Sequence, residues 1–363
     1  MDDDVIEWLL EHDPAVSWQA RRDLLDSPEP KVAAARARVT TEGWGARILA
    51  AQADNGYWGD AVYGAERERD SVMWSLQILR DLGAEPTAPR VREAVERVRH
   101  GVVWAEFDDL PYFHGEVEEC VNGGVLANAS YFGVLGDGSD RLLELLLGQR
   151  QPDGGWNCDA PESSRSSFHS TICVLEGLLA FEQAGAAGGQ RREQVAEARR
   201  SGEEYLLERQ LFRRKSTGEV VDEGYLSFSF PTYWFYDVLR ALDYLRVARP
   251  AGDPRAAAAI DVVLRQRRDD GRWPAGDPWP GRRAYAIEPA PGEPSPWNTL
   301  RALRVLRWAG AQGPVPPAIS TDPRGGRRRD RCSRRVAYRP GGPRHRPAPP
   351  HRQASRRSIR PRR

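Results

Sequence analysis

Apolar positions recur with helical spacing through residues 4–310 of the chain, in two alternating flavours. One set of segments is amphipathic and charged, at about 4–11, 42–53, 88–99, 139–150, 192–211 and 254–268. The other set is apolar or rich in small residues, at about 14–25, 70–82, 120–132, 168–181, 232–245 and 296–309. Segments apolar on most faces are buried on most sides, so the second set is expected inside the first. Pro14, Pro231 and Pro296 lie at or near starts of the inner set, where a missing N–H costs least. Gly83, Gly133 and Gly310 follow inner helices, where a left-handed cap is needed. Three turns share Gln, a turn, Gly, any residue and Trp: Gln52 to Trp58, Gln149 to Trp156 and Gln266 to Trp273. Each follows a charged helix and precedes an apolar one, which marks an internal repeat. The pattern predicts an all-α (α/α)6 toroid, six inner helices within six outer ones, over residues 1–312.

Composition splits the chain. From Ala318 onward there are 16 Arg and 2 Asp, a charge of +14. The chain totals are 53 basic and 52 acidic residues, so residues 1–317 keep 37 and 50, a charge of −13. Residues 313–363 are therefore expected to form a disordered basic tail, too poor in apolar side chains to offset chain entropy. The tail carries no nucleic-acid-binding motif, and no nucleic-acid partner is expected. No apolar run reaches 18 residues, so no transmembrane segment is expected. The acidic start MDDDVIEWLLEHDP has no signal-peptide pattern, and four Cys are too few for a disulfide framework. A cytoplasmic location is the expectation, where thiols serve metal or catalytic roles rather than disulfides.

In such a ring all inner helices run the same way, and their N-termini open at one mouth. Unpaired N–H groups and positive dipole ends gather there, suited to an anion such as diphosphate. Trp18, Trp74, Asn122, Tyr233, Trp234, Trp297 and Asn298 fall near those starts and are candidate substrate-binding residues. Aromatic walls suit a long apolar ligand and stabilise cations. Cys120, Cys158 and His169 fall at matching points of successive repeats, each beside a helix start. Two thiolates and an imidazole are ligand types that Zn²⁺ prefers, with a fourth position left open. They are the candidate metal ligands, with Asp159 as a fourth ligand, an outer partner or a catalytic group; a metal-free catalytic or binding role, or structural thiols with a capped His, are the alternatives. His114 and Glu116 are weaker candidates, and Cys173, one turn into the helix, reads as core. Asp237, among Tyr233, Trp234 and Tyr236, is the candidate for a buried catalytic carboxylate; a structural hydrogen bond is its alternative. The pairs Asp108–Asp109 and Asp269–Asp270 read as solvated loops.

The Gln…Gly-x-Trp turns resemble the repeats of squalene–hopene and oxidosqualene cyclases. The segment GGWNCDAPESSRSSFHSTICVLEGLLAF resembles the zinc-site region of protein prenyltransferase β subunits, and His169 matches a zinc-binding His there. That resemblance implies a toroid and isoprenoid chemistry. The Asp and Cys ligands of those subunits correspond to Asn122 and Gly124 here and are not carried over. No Asp-x-Asp-Asp acid motif occurs in an inner helix. The leading expectation is a single-toroid prenyltransferase- or terpenoid-cyclase-like enzyme with an isoprenoid or other apolar substrate and a zinc ion. A non-catalytic toroid binding an apolar ligand or a protein is the alternative. A glycosidase, with Asp70 and Asp237 as its carboxylates, is a third reading.

Overall fold

A computed structural model describes residues 3–63, 70–186, 188–277 and 285–310. The basic tail expected at 313–363 lies outside the described residues. Thirteen α-helices are found among them: α1 (Asp3–Glu11), α2 (Pro14–Asp23), α3 (Glu29–Ala37), α4 (Gly43–Ala50), α5 (Val72–Leu82), α6 (Pro89–Gly101), α7 (Glu119–Phe132), α8 (Asp137–Gly148), α9 (Phe168–Gln183), α10 (Gly189–Leu207), α11 (Val238–Ala248), α12 (Ala257–Arg265) and α13 (Pro296–Gly310). Among the described residues the β-structure is one short antiparallel pair, β1 (Val103–Trp104) with β2 (Leu110–Pro111), besides isolated bridges such as Arg213 with Val220.

Six helices form a closed inner ring. α5 packs on α7, α7 on α9, α9 on α11, α11 on α13, and α13 on α2. α2 meets α5 through Trp18 Nε1, which donates to the Leu82 carbonyl at 2.9 Å, and Gln19 Nε2, which donates to Asp81 O at 3.0 Å. Burial separates the layers: twelve of the fourteen residues of α7 are buried, against four of the thirteen in α6. The fold is an all-α toroid, as the hydrophobic pattern predicts. α7 and α9 make the tightest pair, because glycine faces backbone. A Cβ on Gly177 would stand 2.4 Å from Gly123 O, and one on Gly123 would stand 2.5 Å from Cys173 O.

The seam of the ring is ionic. Arg304 of α13 reaches Asp243 of α11 through Nε at 2.6 Å, with a second contact through Nη2. Its Nη1 donates to Gln19 Oε1 of α2 at 2.9 Å and lies 3.4 Å from Asp23. Thus the last inner helix is bonded to the first.

The three turn tryptophans do one job. Trp58 Nε1 donates to Ile48 O, Trp156 Nε1 to Leu146 O and Trp273 Nε1 to Val263 O, at 2.7, 2.6 and 2.7 Å. Each acceptor is the third residue from the end of an outer helix, α4, α8 or α12, where helical partners run out. Ile48 O and Val263 O also accept from the cap amides of Ala51 and Gln266, at 3.1 and 3.3 Å. All three rings are fully buried. The three Gln side chains donate to carbonyls of neighbouring segments: Ala94, Val117 and Leu226.

A short extra helix that the pattern does not predict, α3, packs on α2 and buries Val32 and Ala35; Pro28 is its N-cap and Pro30 lies in its first turn. One expectation is corrected. The inner helix expected at 232–245 begins at Val238. Residues 232–237 form an irregular approach in which Tyr233 adopts φ +51°, and Asp237 is the N-cap.

Candidate functional site

The mouth of the ring is made by how each inner helix begins. Five starts are capped by their own side chains: Asp13, Ser71, Ser167, Asp237 and Ser295 accept hydrogen bonds from amides of α2, α5, α9, α11 and α13. α7 is the exception: Glu118 sits at its N-cap and makes no side-chain capping bond. A sulfur does that work instead. The Cys120 amide donates to Cys158 Sγ at 3.1 Å, and Ser170 Oγ–H donates to the same sulfur at 3.3 Å. The Cys158 amide in turn donates to Ser170 Oγ at 3.1 Å. The turn carrying Trp156 therefore delivers Cys158 to the α7 and α9 starts.

Cys158, Cys120 and Glu118 bring one sulfur, a second sulfur and one carboxylate oxygen within 4.8 Å of one another. The cysteines are free thiols. The Cys120 thiol is pushed well up, first by its contact with Cys158 and then by burial. Beside the cluster lies a pocket of about 380 Å³, walled by Tyr57, Tyr63, Trp104, Phe107, Glu116 and Glu118. Glu116 is buried, and its carboxyl is pushed up to about 7, chiefly by that burial.

His169 does not join the sulfur–carboxylate group. Its Nδ1 accepts from the Tyr236 amide at 2.8 Å, so a neutral ring carries its proton on Nε2. Edge contacts to Tyr225 and Trp234 surround the ring. Burial, then the nearby Arg240 charge, lowers its pKa to about 4. Here His169 fastens the 232–237 approach to α9, and Glu118 stands where the sequence reading placed an imidazole. Asp159 is exposed on the loop after Cys158, outside the group.

The remaining candidates separate. Trp74 is fully buried against Tyr63 and Tyr233, at ring distances of 5.3 and 5.4 Å, and so backs the pocket wall. Tyr233 is held by Gln77 Nε2, which donates to its carbonyl at 3.0 Å. Trp234 stacks on Phe235 at 4.0 Å beside His169. Asn122 is spent on the loop before α7: its Oδ1 accepts from the Glu116 amide and its Nδ2 donates to Glu116 O. Asn298 Nδ2 donates to Phe228 O and Pro274 O. Both amides brace backbone. Trp18 and Trp297 line a different cavity, which joins the α13 start to the later turns of α2, α5, α7 and α9, so the expectation that they share one aromatic pocket with the other candidates is corrected.

Asp237 is fully buried, and its Oδ1 accepts from the Arg240 amide at 2.7 Å. Burial raises its carboxyl pKa, opposed by Arg301, which stands 3.7 Å away. It lines neither of these two cavities. Its place in the repeat is that of Ser71, Ser167 and Ser295, a helix cap. Glu118 was missed in sequence because neighbouring Glu116 and Glu119 made it one of several carboxylates; its Glu-x-Cys spacing at a helix start was the available signal.

No helix among the described residues is long and apolar enough to cross a membrane. No family model and no curated protein matches the chain. Among solved structures, it is similar to a protein from Actinoplanes, at 19% identity and a TM-score of 0.41, over 82% of this chain and 90% of that one. It is also similar to a variant of the type II terpene cyclase MstE from Scytonema in its apo form, at 18% identity and a TM-score of 0.40, over 83% of this chain and 88% of that one.

Proposed function

We propose that the chain is a single-toroid enzyme that takes an isoprenoid or similarly apolar substrate into the pocket at the N-terminal mouth, beside a Zn²⁺ ion. One observation carries the reading: Glu118 belongs both to the aromatic pocket wall and to the Glu118–Cys120–Cys158 donor group. Two sulfurs and one carboxylate are a donor set that zinc accepts, and three protein ligands leave a position open. The Cys120 amide and the Ser170 hydroxyl fix the Cys158 sulfur, which supports a preformed site. When bound, zinc would polarise a leaving group or activate a water or thiol. Tyr57, Tyr63, Trp104 and Phe107 offer apolar faces to a hydrocarbon chain, and their rings favour positive charge developing beside them.

The test pairs elemental analysis with ligand titration. Protein purified without chelator should carry about one zinc per chain, and Cys158→Ser should lose most of it. Farnesol should quench tryptophan fluorescence saturably in the wild type; Val121 of α7 also lines the pocket, and Val121→Trp, which fills it, should abolish that response. Zinc-free protein that still binds farnesol would replace the enzyme reading with a non-catalytic toroid that binds an apolar ligand. Zinc without farnesol binding would remove the substrate assignment.

A further inference from the structure

A second cavity, of about 550 Å³, is lined largely by the later turns of the inner helices. It is separate from the mouth pocket, and the inference from it does not depend on the reading above. Seven arginines line it, against the three carboxylates Asp81, Glu176 and Asp243. Cations near helix C-termini are favourable, which accounts for part of the excess. Three arginines are also fully engaged: Arg240 grips Glu176 with both contacts at 2.7 Å, Arg304 grips Asp243, and Arg36 pairs with Glu85 at 2.7 Å while donating to Gly83 O and the Tyr131 hydroxyl.

Arg301 and Arg80 are different. Arg301 is 4% exposed and lies in the first half of α13, away from any benefit of that helix's C-terminal dipole. Its contacts are long: Ser229 O at 3.2 Å, Asn298 Oδ1 at 3.4 Å and Asp237 Oδ1 at 3.7 Å. A guanidinium has five N–H donors, and a buried one is costly without close anionic partners. Arg80 meets its own neighbour Asp81 at 3.2 Å and Glu176 only at 4.0 Å. At the rim, Arg22 and Arg36 stack on Trp18, at 4.5 and 5.2 Å from the ring. Trp297 and Phe230, stacked at 4.2 Å, supply a flat apolar wall.

We propose that this cavity binds a multiply charged oxyanion of the phosphate type, with Arg301 and Arg80 as its principal donors. Guanidinium forks from α5 and α13, with Arg22 of α2 at the rim, suit a tetrahedral anion, which accepts from several directions; one planar carboxylate would occupy one fork. The stacked wall has room for an organic group attached to the anion.

The experiment is calorimetric titration of the full chain with inorganic pyrophosphate at constant ionic strength, with sodium chloride as the blank. Saturable binding is expected, weakened roughly tenfold or more in Arg301→Gln and in Arg80→Gln. Arg22→Gln, half-exposed at the rim, paired with its sequence neighbour Asp23 and stacked on Trp18, should weaken binding several-fold. Parallel titrations with ADP and decyl phosphate separate the sources. Tighter binding of ADP assigns a flat-ring phosphate, tighter binding of decyl phosphate a chain phosphate, and tightest binding of pyrophosphate a free anion. Heats no larger than the chloride blank, or unchanged affinity in folded Arg80→Gln and Arg22→Gln, would overturn the proposal.

Discussion

Arg304→Met cuts the seam of the ring. Arg304 is 12% exposed and its partner Asp243 15%, so water screens the pair little. Burial works to raise the Asp243 carboxyl, but Arg304 and then Arg246 overcome it and hold the pKa at about 2, against an ordinary 3.8. That displacement corresponds to about 2 kcal/mol of stability at neutral pH. Removing one member of a buried pair also strands the other, and such losses run to about 3–5 kcal/mol. Arg246 remains 3.1 Å from Asp243 and cushions the loss, so about 3 kcal/mol is expected. Urea unfolding followed by circular dichroism reads it. The sign is fixed by the depressed pKa: the stabilisation is complete above the ordinary carboxylate range and is lost as pH falls through about 2. The gap between wild type and variant should therefore shrink by roughly half at about pH 3. A gap below about 1 kcal/mol at neutral pH, or one that stays constant into acid, would refute the idea that ion pairing by Arg304 holds α13 in the ring.

Trp156→Phe should cost roughly 1–3 kcal/mol in urea titrations by leaving the Leu146 carbonyl without its donor, whereas Trp58→Phe and Trp273→Phe should cost less, because Ile48 O and Val263 O keep the Ala51 and Gln266 amides. A loss at Trp156 no larger than at the other two would show that the indole bond is not what stabilises the turn. Gly177→Ala should destabilise by about 1–3 kcal/mol or more because its Cβ meets Gly123 O, whereas Gly148→Ala, with open space around it, should be neutral or stabilising in the same assay. His169 has a folded pKa of about 4, below the ordinary 6.5, so its contribution is complete above 6.5 and is lost as pH falls toward 4. His169→Gln should flatten that limb of the stability profile, and an unchanged slope between those pH values would show that the ring is not buried neutral.

Helix starts were legible where a local rule set them. Pro14 and Pro296 begin α2 and α13 as a first-turn proline should. The α11 start was not, because Tyr233, Trp234 and Tyr236 continue an apolar pattern that the backbone does not follow. The positive φ of Tyr233 breaks it, and the first competent cap is Asp237. α3 escaped because a short segment that buries only Val32 and Ala35 carries almost no periodic signal. At the site, the repeat offset indicates that Cys120 and Cys158 sit near the same mouth, but no spacing rule says which neighbour turns toward them. That choice depends on Asn122 bonding back to Glu116, which sets the path of the chain into Glu118, and on the Tyr236 amide occupying His169.

The seam has a consequence for synthesis. Gln19 and Arg304 are 285 residues apart in sequence. At ribosomal rates of about 5–20 residues per second, the face of α2 that receives α13 stays bare for roughly 15–60 s after it is made. During that interval the nascent chain is an open arc with two apolar edges, able to stick to another arc as readily as to its own missing helix. Cells that make this protein quickly should accumulate intertwined or aggregated copies, and a chaperone that shields the early edge should raise the yield more than any improvement in final stability.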